Sequence, residues 1–140
     1  MLKATLSGNT IVMENILSFA HDTESPLLMY NNETELTMIV NMVYLAARDH
    51  YKIEREDKAG IGYVDFIFYP LNKSDDGVIL ELKVDDTPEN AVQQIKEKKY
   101  AMKFSGKLGE LPEYTGGVLA VGIAYDKKTK EHRCMVEKLS

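Results

Sequence analysis

Three ionisable residues interrupt an otherwise apolar part of the sequence. From Ala59 to Val84 the chain reads "AGIGYVDFIFYPLNKSDDGVILELKV", two runs that look suited to burial, yet Asp65 breaks the first and Glu81 and Lys83 close the second. Glu81 and Lys83 are spaced by two, so in a strand both side chains leave the same face. Carboxylate oxygens hold hard cations such as Mg²⁺ or Mn²⁺, which keep several waters. Such an ion lowers the pKa of a bound water and neutralises charge on a phosphate under attack. An ammonium at the same place orients the water and stabilises developing negative charge. Burying these groups with neither metal nor partner costs on the order of several kcal/mol per ion. The plainer use of a Glu-x-Lys strand is an ion pair on a solvent-facing surface, and spacing alone does not separate the two.

Elements must bring Asp65 to the other two. "YVDFIFYP" predicts a strand stopped by Pro70, "VILELKV" the next strand, and "LNKSDDG" between them is a turn cluster whose terminal Asp76-Gly77 step is a hairpin signal. Counted from that step, Asp65 lies farther back than Glu81 lies forward, so the pairing requires a lopsided loop or a bulge. Upstream, residues 1–30 read as a helical lead-in with apolar positions at Ile11, Val12, Ile16, Leu17 and Phe19, broken at "HDTESP". A second helix starts near an Asn31 or Asn32 cap, with Glu33 and Glu35 suited to its positive end. Leu36, Ile39, Val40, Val43, Tyr44 and Ala47 form its apolar stripe, and "YKIE" follows as a short edge strand. Downstream, Thr87 caps a helix with Pro88 in its first turn, reaching about Phe104 and burying Ala91, Ile95 and Met102. "VLAVGIAYD" is apolar enough for burial on both faces, and "RCMVEKL" closes the series. A strand–helix–strand crossover of this length implies a parallel pair. The expected fold is α/β, a central mixed sheet flanked by helices.

Composition narrows the class. The chain has 140 residues, 44% hydrophobic and 28% charged, ordinary for one globular domain. No apolar run reaches the ~18 residues of a membrane span, and Glu14 and Asn15 spoil any signal-peptide layout. The single Cys134 forms no internal disulfide and belongs to no paired-cysteine zinc site, which fits a reducing cytoplasm. Net charge is −5, from 22 acidic and 17 basic residues, which argues against broad attraction to nucleic acid. The lysines are clustered, however: Lys96, Lys98, Lys99, Lys103 and Lys107 in one segment, Lys127, Lys128 and Lys130 with Arg133 in another. These segments can grip a phosphate backbone locally or face water.

Five blocks carry a family resemblance. "NE" at Asn32–Glu33, "GIGYVD" at Gly60–Asp65, "ILELK" at Ile79–Lys83, "AVQQIKEKKY" at Ala91–Tyr100 and "VGIAYD" at Val121–Asp126 occur in that order. Together they resemble the PD-(D/E)XK nuclease superfamily over roughly residues 31–138. They are closest to the branch found C-terminal to AAA-ATPase-like domains in bacterial proteins. The resemblance implies a restriction-endonuclease-like αβββαβ core in residues 31–140, with residues 1–30 similar to the segment linking it to an ATPase-like domain. No P-loop occurs in this chain. It further implies metal-dependent hydrolysis of nucleic acid, of DNA in particular, with Mg²⁺ or Mn²⁺. Asp65, Glu81 and the Leu82 carbonyl would hold the ion, and Lys83 would be the catalytic lysine. Glu33 would reach the metal directly or through water, although it equally suits a first-turn acid. Gln94 would contact the site or substrate, with Lys98 its neighbour one turn on and Tyr100 a substrate contact or packing residue. Many relatives have arginine in the glycine turn where this chain has Tyr63.

Two other functions compete. A catalytically inactive nuclease-fold module for dimerisation or partner docking agrees with the acidic balance and with Tyr63; a homodimer is compatible with either. Small-molecule catalysis has little support, because His21, His50 and His132 are scattered and no Ser-His-Asp or Cys-His pattern stands out. His132 beside Cys134 reads as incidental.

Overall fold

In the computed structural model of the chain, residues 1–24, 33–55, 65–97 and 116–139 are described. Helices α1 (Leu2–Leu6), α2 (Thr10–Glu24) and α3 (Glu33–Val43) come first, then a 3-10 turn at Leu45–Asp49. Strands β1 (Tyr51–Glu54), β2 (Phe66–Pro70) and β3 (Gly77–Val84), helix α4 (Pro88–Glu97), and strands β4 (Val118–Tyr125) and β5 (His132–Lys138) complete the series. The strands lie in sequence order in one five-stranded sheet. Pairing is antiparallel except between β3 and β4, which run parallel in the direct register Glu81↔Gly122 and Lys83↔Ala124. The crossover through α4 is thus parallel, as expected from its length.

Each face of the sheet has its own cover. Phe66, Phe68, Val78, Leu80, Leu82, Val121 and Ile123 form the main core with Met13, Leu17, Leu36, Ile39 and Val40 of α2 and α3. On the other face Ile67, Ile79 and Ala120 pack against Val92 and Ile95 of α4. With both faces covered, all eight residues of β4 are buried, which accounts for its unbroken apolar sequence.

Three expectations change. The hairpin does not turn at Asp76-Gly77. Gly77 already belongs to β3 and pairs with Val118, and the connection spans residues 71–76, within the expected turn cluster, where Asn72 accepts from the Ser74 amide. That longer loop removes the lopsidedness, since Phe66 pairs with Leu80 without a bulge. The stripe of α2 also differs: Met13 and Leu17 are fully buried, whereas Ile11, Val12 and Phe19 face outward. The buried positions are four apart, and Ile11 and Phe19 fall outside the arc they define. Finally, α3 gives way at Tyr44 to the 3-10 turn, where the buried tyrosine hydroxyl meets Thr5 Oγ1 of α1 at 2.7 Å. Between α1 and α2 the chain passes through Gly8, whose φ of 70° lies in the left-handed region that glycine adopts at little cost. Met102, expected to be buried, and the Asn31 and Asn32 caps lie outside the described residues.

Because α2 contributes to the main core, its two apolar faces are not equivalent. Leu17→Ala is expected to destabilise the protein by about 3 kcal/mol, whereas Phe19→Ala, at a position 75% exposed, stays within about 0.5 kcal/mol. Urea denaturation of the two variants measures both.

Candidate active site

Parity along the strands sets the site. On β3 the row facing α4 runs Ile79, Glu81, Lys83; on the β2 side Asp65 precedes Phe66 and so shares the face of Ile67. Phe66 pairs with Leu80, so one further step sets Asp65 beside Glu81. Both carboxylates are deeply buried, 2% and 4% exposed. The Asp65 Oδ2 accepts the Leu82 amide at 2.7 Å. β2 has ended there, so the carboxylate takes the ladder bond that a main-chain carbonyl would otherwise accept, which holds it against β3 beside Glu81.

Lys83 stands on the same row. Its Nζ is 4.0 Å from Glu81 Oε1 and donates to Gln94 Oε1 on α4. Gln94 is in place because α4 sits low on the sheet. The Thr87 hydroxyl caps the helix by accepting the Asn90 amide at 3.1 Å. Asp86 accepts from the Asn90 side chain and the Thr87 amide, bonds that hold its carboxyl below the usual range. Beneath the first turn lies Gly122, the cross-strand neighbour of Glu81. A Cβ there would come 2.3 Å from the Pro88 carbonyl oxygen. The missing side chain is therefore what lets α4 approach and bring Gln94 to Lys83.

The donor set fits a hard divalent cation. Two nearly inaccessible carboxylates share one face, oxygen is the ligand such ions prefer, and placing the pair together without positive charge would be costly. Among the described residues no group of three or more His, Cys, Asp or Glu side chains converges on a metal position; the described part of the expected set is Asp65, Glu81 and the Leu82 backbone. Glu33 begins α3, but its side chain lies outside the described residues, as do Lys98, Tyr100 and Tyr63. A hollow of about 270 Å³ opens beyond Lys83, lined by Asp85, Asp86, Thr87, Ala124, Asp126, Thr129, Glu131 and Arg133. It borders the lysine through Ala124, but its carboxylates make it a poor seat for phosphate.

The histidines correct an expectation. His21 and His132 are not scattered but hydrogen-bonded at 2.9 Å, and His21 also meets Glu35 at 2.7 Å; His50 lies apart, at the end of the 3-10 turn. No linear spacing signals a contact between residues 111 positions apart. Cys134 is buried, its thiol pushed up to about 12 by desolvation, and so stays neutral.

The chain belongs to the PD-(D/E)XK nuclease superfamily, whose family model matches residues 32–133. The mixed sheet with helices on both faces is the restriction-endonuclease-like core of that family. No curated protein matches the chain. Among the described residues no helix is long and apolar enough to cross a membrane.

The seat of α4 is open to test. Gly122→Ala forces backbone to move, since the atom it meets is a carbonyl oxygen. The expected loss is about 1–3 kcal/mol, read from the urea midpoint, together with loss of the Lys83–Gln94 contact in NMR spectra.

Proposed function

We propose that the protein hydrolyses phosphodiester bonds in DNA with Mg²⁺ or Mn²⁺ held by Asp65 and Glu81. The observation that carries this reading is the burial of these two carboxylates on one face of the sheet, with Lys83 beside them. The Leu82 carbonyl is a natural third ligand. In a strand a residue's N–H and C=O leave on the same side, and the Leu82 amide already points to Asp65. Glu33 of α3 would complete the set, directly or through water. When bound, the ion supplies Lewis acidity toward the phosphate and acidifies a water. The Lys83 ammonium orients the attacking water and stabilises charge building on the phosphate oxygens. Gln94 holds that ammonium in place, and Lys98 and Tyr100 would meet the substrate.

Within the family, the ordered blocks from Asn32 to Asp126 support reading the chain as a relative of the branch that accompanies AAA-ATPase-like domains. We accordingly read residues 31–140 as the nuclease-like domain, residues 1–30 as the segment adjoining an ATPase-like partner domain, and the setting as bacterial cytoplasm. A homodimer is compatible with this arrangement.

Nicking of supercoiled plasmid with Mg²⁺, Mn²⁺ or chelator tests the proposal. Asp65→Ala and Lys83→Ala are each expected to lower cleavage by about 10²-fold or more, and Asp65→Ala to lose the heat of Mn²⁺ binding in calorimetry. Undiminished cleavage in either variant defeats the assignment. A folded wild type that cleaves neither DNA nor RNA under any of these conditions points instead to a docking module.

A further inference from the structure

A four-member hydrogen-bonded chain crosses the interior on the face opposite Glu81 and Lys83. Glu35 Oε1 lies 2.7 Å from His21 Nε2, His21 Nδ1 lies 2.9 Å from His132 Nε2, and His132 Nδ1 lies 3.3 Å from Ser18 Oγ. Glu35, His21 and His132 are buried. Tyr125 of β4 stacks on His21 at 4.5 Å and lies 4.7 Å from the His132 ring. The chain ties α2 to α3 through Glu35 and to β5 through His132.

Its protons can be placed by elimination. A carboxylate only accepts, so His21 carries hydrogen on Nε2. Neutral His21 then offers a lone pair at Nδ1, so His132 donates from Nε2 and accepts the Ser18 hydroxyl at Nδ1. One added proton can be housed. His21 becomes a cation beside Glu35, the bond between the rings reverses, and His132 takes its other tautomer. A second proton on the other ring cannot be housed, because both facing nitrogens would then carry hydrogen at bonding distance inside a desolvated site.

We propose that the His21–His132 pair is a proton-operated latch for α2, closed while at most one ring is cationic and released when both are. This does not depend on the nuclease reading. The groups around the pair are Ser18, Asp22 and Glu14 of α2, Glu35 of α3, Tyr125 of β4 and Cys134 of β5. Glu14 is engaged by the Cys134 amide at 2.8 Å. Asp22 favours a charge on His132, but burial and then His21 outweigh it, lowering the His132 pKa from 6.5 to about 4. A base with a lowered folded pKa binds more protons when unfolded, so its contribution to stability is complete above about pH 6.5 and is lost as pH falls toward 4.

Two measurements on the intact chain test the latch. Nitrogen-15 NMR at pH 7 is expected to show both rings hydrogen-bearing at Nε2. Hydrogen exchange from pH 7 to 4.5 is expected to show α2 amides losing protection about fiftyfold more than those of β3 and β4, and His132→Gln to abolish that difference. Equal protection of α2 and the sheet at every pH overturns the proposal, as does undiminished acid release in His132→Gln. Should that variant not fold, the wild-type rings decide alone: independent titration of both near pH 6.5 sinks the latch.

Discussion

The amide of Leu82 needs an acceptor on a side of β3 where its neighbour strand has already stopped. A buried N–H without a partner is costly, and the Asp65 carboxylate meets that need at 2.7 Å. The same bond fixes where an acidic group sits, next to Glu81 and under α4. Had β2 begun a residue or two earlier, a main-chain carbonyl would occupy this place, and Asp65 would lie elsewhere. The candidate site thus grows out of the end of a ladder: an incomplete pairing is completed by a side chain that also carries charge. The rest of the fold serves the same place. Gly122 lowers α4, α4 presents Gln94, and Gln94 holds Lys83.

Much of this was legible in the residues. Period-two spacing assigned Glu81 and Lys83 to one face, Thr87 and Pro88 marked the start of α4, and the apolar run from Val118 announced a strand covered on both sides. The position of Asp65 was harder, because counting from the Asp-Gly step called for a lopsided loop or a bulge while the register is set by Phe66 opposite Leu80. Local turn chemistry yielded there to side-chain packing across the strands. On α2, counting apolar residues overstated the buried stripe, since Ile11 and Phe19 are apolar yet exposed. Apolar surface residues are common enough that composition cannot tell them from core. The histidine chain was invisible for a different reason. His21 and His132 meet only because α2 docks on β5, and no local pattern encodes a docking of that range.

The two faces of the sheet divide the buried charge between them. Glu81 and Asp65 lie with Lys83 on the α4 side, while Glu35 lies with His21 on the side of α2 and α3. Each carboxylate has hydrogen-bonding or charged company close by, as buried ions require. The hydrophobic residues between them, Leu80 and Leu82 on one side and Ile79 on the other, are fully enclosed. The central strand therefore works as a partition, apolar in its first half and bordered by charge where it ends.

The contact between α2 and β5 bears on how the protein is made. Its partners are 111 residues apart, and the parallel union of β3 with β4 spans another long excursion. Contacts of such range require large loops to close before they contribute, which slows folding. As the chain leaves the ribosome, the part of α2 that meets β5 stays uncovered until that strand emerges. During that interval the unsealed surface is open to solvent, and apolar surface exposed in this way makes a nascent chain prone to aggregation.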